Sequence, residues 1–366
     1  LDVARTLRSG LFWTGSATFV LIGAAAALYG PALPAFARAF GLSVAEAGLL
    51  VSAHNMGGLV GLLASAALGV VTARQSILII VAGAALIASG LAWWLTLVGA
   101  VLLGAGYGLV AAVLNRRFLT ESGADGPAMV GLLNAIFGIG AIGGPMLLLA
   151  VGGSPGLAFA LVAVAMLLLV PFAGGGVAEA PAAIAHRRLL RSPGILLLGA
   201  AAIGFEVSLI GLGPAALVAR GTPEADAAWL ASLFFAFFLA SRVSLVWLAP
   251  RFRPLSLLVA AFAAGAVLAG TAAVAPPGLF FAVAGASVGI LFPTYFVAAA
   301  QALGTDARAA ALTLASGYVG AVLLPAAMSG LIGLYGAPIL FPALAAFAAL
   351  CCAAALFLDR RGSRGA

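Results

Sequence analysis

Residues 204–214 read Gly204-Phe-Glu-Val-Ser-Leu-Ile-Gly-Leu-Gly-Pro214. Glu206 is a carboxyl group within about 25 otherwise apolar or small residues, the length an α-helix needs to cross a bilayer of roughly 30 Å. With the helix starting near Gly194, Glu206 falls about 18 Å along it at 1.5 Å per residue, close to the membrane midplane. An ionisable group at that depth is costly and marks a functional site by default.

The composition around this stretch is that of a membrane protein. Charged residues make up 7% of the 366 and hydrophobic residues 64%, where a soluble domain carries about 25% charge. The mean hydropathy is +1.24. The 48 glycines suit close helix packing in lipid. Cys351 and Cys352 lie together in an apolar span and read as small apolar residues, without a disulfide framework or metal site. Arg5 and Arg8 precede a run long enough to span, so this segment reads as the flank of helix 1 rather than a signal peptide.

Hydrophobic stretches divided by Pro, Gly or charge predict twelve spans: 11–30, 46–69, 75–94, 96–116, 127–150, 156–173, 194–218, 226–248, 254–275, 278–303, 307–333 and 337–358. All 17 basic residues are Arg. Only Arg38 and Arg220 fall in odd-numbered loops; the others are assigned to even-numbered loops or the termini, Arg242 from inside the cytoplasmic half of span 8. The positive-inside rule then puts both termini in the cytoplasm, with the chain in the cell inner (plasma) membrane. Loop topology explains the high pI better than nucleic-acid binding does. Residues 174–193, which include His186, form the longest polar connection. They divide an N-terminal bundle (1–173) from a C-terminal one (194–366).

The halves resemble each other. Ile139-Gly-Ala-Ile-Gly-Gly-Pro145 matches Val319-Gly-Ala-Val-Leu-Leu-Pro325 at an offset of 180, and Gly104-Ala-Gly-Tyr-Gly108 matches Gly285-Ala-Ser-Val-Gly289 at 181. The expected fold is all-α and integral to the membrane: twelve helices in two parallel six-helix repeats, the plan of major facilitator transporters. Pro145 and Pro325 interrupt the helical ladder and are candidate bending points.

Polar side chains inside spans need partners or water. Beyond Glu206 they are His54 and Asn55 in span 2, Tyr107 and Asn115 in span 4, Asn134 in span 5, Tyr295 and Gln301 in span 10, and Tyr318 in span 11. Glu46 sits at the outer end of span 2, capping the helix or facing water. His54 reads as a titrating group or an interhelical donor, and Asn134 as a substrate contact or interhelical glue. Arg242 is a buried partner or snorkels to the cytoplasmic face, and the second is expected. Trp93 and Trp94 look like interfacial belt residues at the outer face.

Four motifs carry a family resemblance. They are Gly204-Phe-Glu-Val-Ser208, the aromatic run Leu233-Phe-Phe-Ala-Phe-Phe-Leu-Ala-Ser-Arg242, Leu291-Phe-Pro-Thr-Tyr-Phe296 with Ala300-Gln-Ala-Leu-Gly304, and Gly131-Leu-Leu-Asn-Ala-Ile-Phe-Gly-Ile-Gly140. Together the spans resemble the fucose:proton symporter branch of the major facilitator superfamily, including relatives described as sodium-dependent glucose transporters. The titratable acids of that branch in spans 1 and 4 fall on Gly30 and Ala111 here. The superfamily's loop signature after span 2 keeps Gly69 and Arg74, but Ala73 replaces its acid.

The resemblance and the duplicated spans imply a secondary transporter working by alternating access; a monomer without a cofactor is expected. Glu206 would bind a proton or sodium ion. Asn134, Tyr107, Phe292, Tyr295, Tyr318, His54 and Asn55 would contact a small solute such as a sugar, and Arg74, Arg242, Pro145 and Pro325 would serve gating. Two other readings fit the sequence: a proton-coupled exporter of amphipathic or hydrophobic compounds, and a membrane sensor or scaffold that transports nothing. An enzyme does not fit, because there is no nucleophile–base set.

Overall fold

The structure is a computed structural model that describes residues 9–68, 71–122, 125–174 and 192–363. His186 and most of the connection at 174–193 lie outside these residues. Thirteen α-helices follow one another: α1 Gly10–Phe40, α2 Val44–Leu68, α3 Ala73–Ser89, α4 Trp93–Glu121, α5 Gly126–Ala150, α6 Pro155–Leu169, α7 Pro193–Ala219, α8 Glu224–Leu248, α9 Pro254–Val274, α10 Pro277–Gly289, α11 Leu291–Leu303, α12 Ala307–Tyr335 and α13 Leu340–Ser363. Among the described residues, eleven helical segments are long and apolar enough to cross a bilayer, α10 and α11 counting as one, and Ala73–Ser89 is a shorter apolar helix. The chain is a multi-pass membrane protein.

Three spans differ from the expectation. The first was expected to stop at Gly30-Pro31 but runs to Phe40 with Pro31 and Pro34 inside it. Without water to take up freed backbone groups, a helix persists through proline where its neighbours hold it, and Leu33 and Phe36 are buried there. The third span ends at Ser89, because Gly90 takes a left-handed turn at φ 60° that stops the helix. Trp93 and Trp94 therefore open α4 rather than close span 3. The tenth span is broken in two at Ile290.

Helix starts follow local chemistry. Ser43 and Glu46 cap α2 reciprocally, with the Ser43 N–H donating to the Glu46 carboxylate at 2.8 Å and the Glu46 N–H donating to Ser43 Oγ at 3.2 Å. Glu46 is thus a capping residue, as its position suggested. Thr72 and Gln75 form the same motif at α3, in the loop where the superfamily's acid is missing. At the far end of α9, Arg220 donates to the carbonyls of Ala272 and Ala275, placing a cation on the negative end of the helix dipole. Trp13, Trp94, Trp229 and Trp247 are exposed within the first or last two turns of their helices, where aromatic belts meet the bilayer interface.

The chain forms two compact units, one of residues 9–40 and 53–174, the other of 41–52 and 192–363. Each has the same internal pairing. In the first, α1 packs on α5, α3 on α4 and α3 on α6; in the second, α7 packs on α12, α9 on α10 and α9 on α13. The glycines that the repeat matched are where backbones touch. A Cβ on Gly140 would strike the Val20 carbonyl, and one on Gly320 would strike the Ala200 carbonyl. Both the glycines and their partners differ by 180 in number. Likewise Gly104 meets the His54 carbonyl and Gly285 the Phe234 carbonyl. The internal match is therefore one geometry of helix contact, repeated within each half.

Candidate functional site

Glu206 is the central residue of the 27-residue α7. It is 9% exposed. Its Oε1 lies 3.9 Å from Nη2 of Arg242, and its Oε2 is buried with no protein hydrogen-bond partner. Two residues further along the same helix, the Ser208 hydroxyl is also buried and unpartnered.

Arg242 does not snorkel out to water. Its Nε donates to the Gly289 carbonyl at 3.0 Å, and its guanidinium lies 4.2 Å from the centre of the Phe238 ring one turn earlier. A planar guanidinium suits this, since it can stack on a ring and present several donors at once. The ring and the carbonyl hold the charge inside the bundle more favourably than an extended path to the interface would.

The carbonyl that Arg242 uses is freed by sequence. In an unbroken helix, the N–H of residue 293 would donate to the carbonyl of residue 289. Residue 293 is proline and has no N–H. Gly289 is the last residue of α10, Ile290 bends the chain at φ −92° and ψ −10°, and α11 starts at Leu291. Gly289 also packs so closely on the Phe238 carbonyl and Ser241 hydroxyl that a Cβ would collide with both. The Phe-Pro-Thr motif thus makes an acceptor, the adjacent glycine brings α8 to it, and Arg242 occupies it. Among the described residues of α7, α10 and α11, Glu206 is the one Asp, Glu, His, Lys or Arg.

The other predicted site residues are spread over both units. Tyr295 is not at an open surface. It is fully buried, its hydroxyl lies 2.6 Å from Ser316 Oγ and donates to the Thr313 carbonyl at 3.1 Å, and its ring fills the space above Gly199, where a Cβ would overlap it. This correction has a packing cause: Tyr295 ties α11 to α12 and α7, and its polar end is already used. Phe292 and Tyr318 are half-buried in the second unit. In the first unit Asn134 is exposed and its amide donates to the Val130 carbonyl of its own helix at 2.8 Å, so it does not tie helices together. Tyr107 is half-buried, with its ring 6.0 Å from His54 and 6.1 Å from Phe137. Asn55 is half-buried and Arg74 is exposed, while Pro145 and Pro325 are buried inside α5 and α12.

The sequence reading missed Tyr29. It is buried in α1 with its ring 4.9 Å from His54 and 5.4 Å from Phe159, and its hydroxyl has no partner. Its position one residue before Gly30, which stands where the resembled family has an acid, was the available signal.

A multi-pass bundle built as two six-helix repeats, with an ion pair held inside one of them, defines a membrane transporter rather than an enzyme. The chain belongs to the Major Facilitator Superfamily, whose sequence profile matches residues 15–318. No curated protein matches the chain closely. Among solved structures it is similar to a D-xylose-proton symporter, with a TM-score of 0.75 and 14% identity over 95% of this chain and 96% of that one. It is also similar to the nucleoside transporter NupG, at 0.72 and 13% over 96% and 98%, and to the E. coli fucose:proton symporter FucP, at 0.62 and 20% over 94% and 98%. At these identities the likeness is one of fold.

Proposed function

We propose that this protein is a secondary active transporter of a small solute, a sugar being the favoured class, working by alternating access and coupled to a proton or cation at Glu206. The observation that carries the proposal is the Glu206 carboxylate: one oxygen sits 3.9 Å from Arg242 and the other is buried without a protein partner. Ionised, the carboxylate attracts Arg242 or a cation. Protonated, it becomes a neutral donor and leaves Arg242 to Gly289 and Phe238. Neutralising a charge at the centre of a span removes a barrier of about 3 kcal/mol on insertion scales, which lowers the cost of reorienting through a closed state.

The proposed solute contacts are Asn134, Tyr107, Phe292, Tyr318, His54 and Asn55, with Arg74, Arg242, Pro145 and Pro325 in gating. The two bundles are proposed as 1–173 and 194–366, joined by 174–193. We place the protein in the inner membrane as a monomer with both termini cytoplasmic. The occupied hydroxyl of Tyr295 leaves few polar groups for a hexose, and this favours a second reading, export of amphipathic compounds. Proteoliposomes test both. Gradient-driven accumulation that is lost in Glu206→Gln while solute counterflow persists is the expected result. Equal gradient-driven accumulation by wild type and Glu206→Gln would sink the coupling role.

A further inference from the structure

Two neighbouring residues of the first unit, far along the sequence from Glu206, each carry an unpartnered buried polar atom. The Tyr29 hydroxyl and His54 Nδ1 each have no hydrogen-bond partner, and the residues are 3% and 7% exposed. Their rings are 4.9 Å apart, within an aromatic cluster completed by Tyr107 and Phe159. His54 also hydrogen-bonds the Ala100 backbone. With that bond assigned to Nε2–H, Nδ1 presents a lone pair. The Tyr29 phenol is a donor and an acceptor. Gly104 packs α4 against the His54 carbonyl so closely that a Cβ would collide with it, which fixes the backbone that aims this imidazole.

Buried polar groups are nearly always satisfied, and two orphans 4.9 Å apart at their ring centres call for one kind of occupant. We propose that Tyr29 and His54 form a hydroxyl-binding site in the first unit, which takes an O–H group that donates to His54 Nδ1 and a hydroxyl oxygen that accepts from Tyr29. An ordered water and the hydroxyls of a neutral polyol or sugar supply the same chemistry. A cation does not fit, because no carboxylate stands among these side chains and an imidazole held by Ala100 offers one lone pair. The solute form of the proposal rests on the transporter reading above; the water form does not.

Thermal unfolding of the purified full chain tests it, with wild type, Tyr29→Phe and His54→Leu, each alone and with D-glucose, D-xylose or glycerol. A solute that raises the Tm of wild type but of neither variant supports the site with the solute as its ligand. If no rise depends on these residues, a Tm lowered in Tyr29→Phe by on the order of 2 °C supports it with water as ligand, because a hydroxyl that has a partner is missed when removed. A Tm that stays level or rises in Tyr29→Phe, with no solute effect dependent on either residue, overturns it, since deleting an orphaned buried hydroxyl relieves its desolvation. Tyr29→Phe keeps the ring and its packing, so the test survives a misfolded His54→Leu. The readout needs no flux, so a failure here is distinct from a failure of Glu206 coupling in vesicles.

Discussion

The Arg242 side chain faces two partners on two different elements: Nη2 lies 3.9 Å from Oε1 of Glu206 on α7 as an ion pair, and Nε donates to the Gly289 carbonyl at the end of α10 at 3.0 Å. One cation therefore links the only acid of α7 to the break between α10 and α11. Whatever changes the charge on Glu206 changes how strongly Arg242 is drawn from that break.

Arg242→Lys keeps the charge but loses the planar fork, so it cannot serve both the Glu206 carboxylate and the Gly289 carbonyl in the same geometry. Gradient-driven uptake is expected to fall about tenfold, equivalent to about 1.4 kcal/mol, with solute counterflow less affected. A double-mutant cycle with Glu206→Gln is expected to give an interaction energy of about 1 kcal/mol. Strictly additive effects on uptake would separate the two residues functionally.

Pro293→Ala restores an N–H that can donate to the Gly289 carbonyl and continue the helix across Ile290. The expected variant is more heat-stable than wild type, because proline inside a helix costs about 3 kcal/mol, and slower in transport, because Arg242 then competes for its acceptor. Tm and initial uptake rate, measured on one preparation, check the pair. A variant with a raised Tm and an unchanged rate would show that the break has no part in the cycle.

Gly320 and Gly330 both lie in α12, and they predict opposite outcomes. A Cβ on Gly320 would collide with the Ala200 carbonyl, whereas one on Gly330 has nothing within 4 Å. Gly320→Ala is expected to destabilise by about 2 kcal/mol, as overpacking against backbone does. Gly330→Ala is expected to be neutral or stabilising by up to about 1 kcal/mol. Thermal unfolding in detergent compares them directly. The repeat predicts that Gly140→Ala, against the Val20 carbonyl, behaves like Gly320→Ala.

Asp306 caps α12 by accepting from the N–H groups of Arg308 and Ala309 at 3.0 and 2.9 Å. These bonds hold its carboxyl below the usual carboxylate range. A depressed folded-state pKa contributes stability that is full above the unfolded value of about 3.9 and is lost as pH falls through the lower folded value. Wild type is therefore expected to lose more Tm between pH 6 and pH 3 than Asp306→Asn, whose amide caps without titrating. Parallel pH profiles would count against the cap.

The sequence by itself determined the class of the molecule. Its hydropathy, its 48 glycines and its scattered arginines point to a helical bundle in lipid, because a spanning backbone must satisfy its own hydrogen bonds as helices or as a closed barrel, and continuous apolar runs of about 20 residues are the helical pattern. The 180-residue offset between Gly140 and Gly320 exposed the duplication, since close helix contact admits little but glycine and leaves a periodic trace. Glu206 was legible as a candidate site because a lone carboxyl in an apolar span is out of its ordinary solvent. Only the tertiary structure decided its partner. Arg242 and Glu206 are 36 positions apart on separate helices, and nothing local tells a snorkelling arginine from a buried one; the choice depends on the Gly289 carbonyl that Pro293 leaves free. The same holds for Tyr295 and Tyr29, alike in sequence as tyrosines in apolar helices. One has its hydroxyl matched by Ser316 across a helix contact and the other has none, a difference that exists only once the helices are packed.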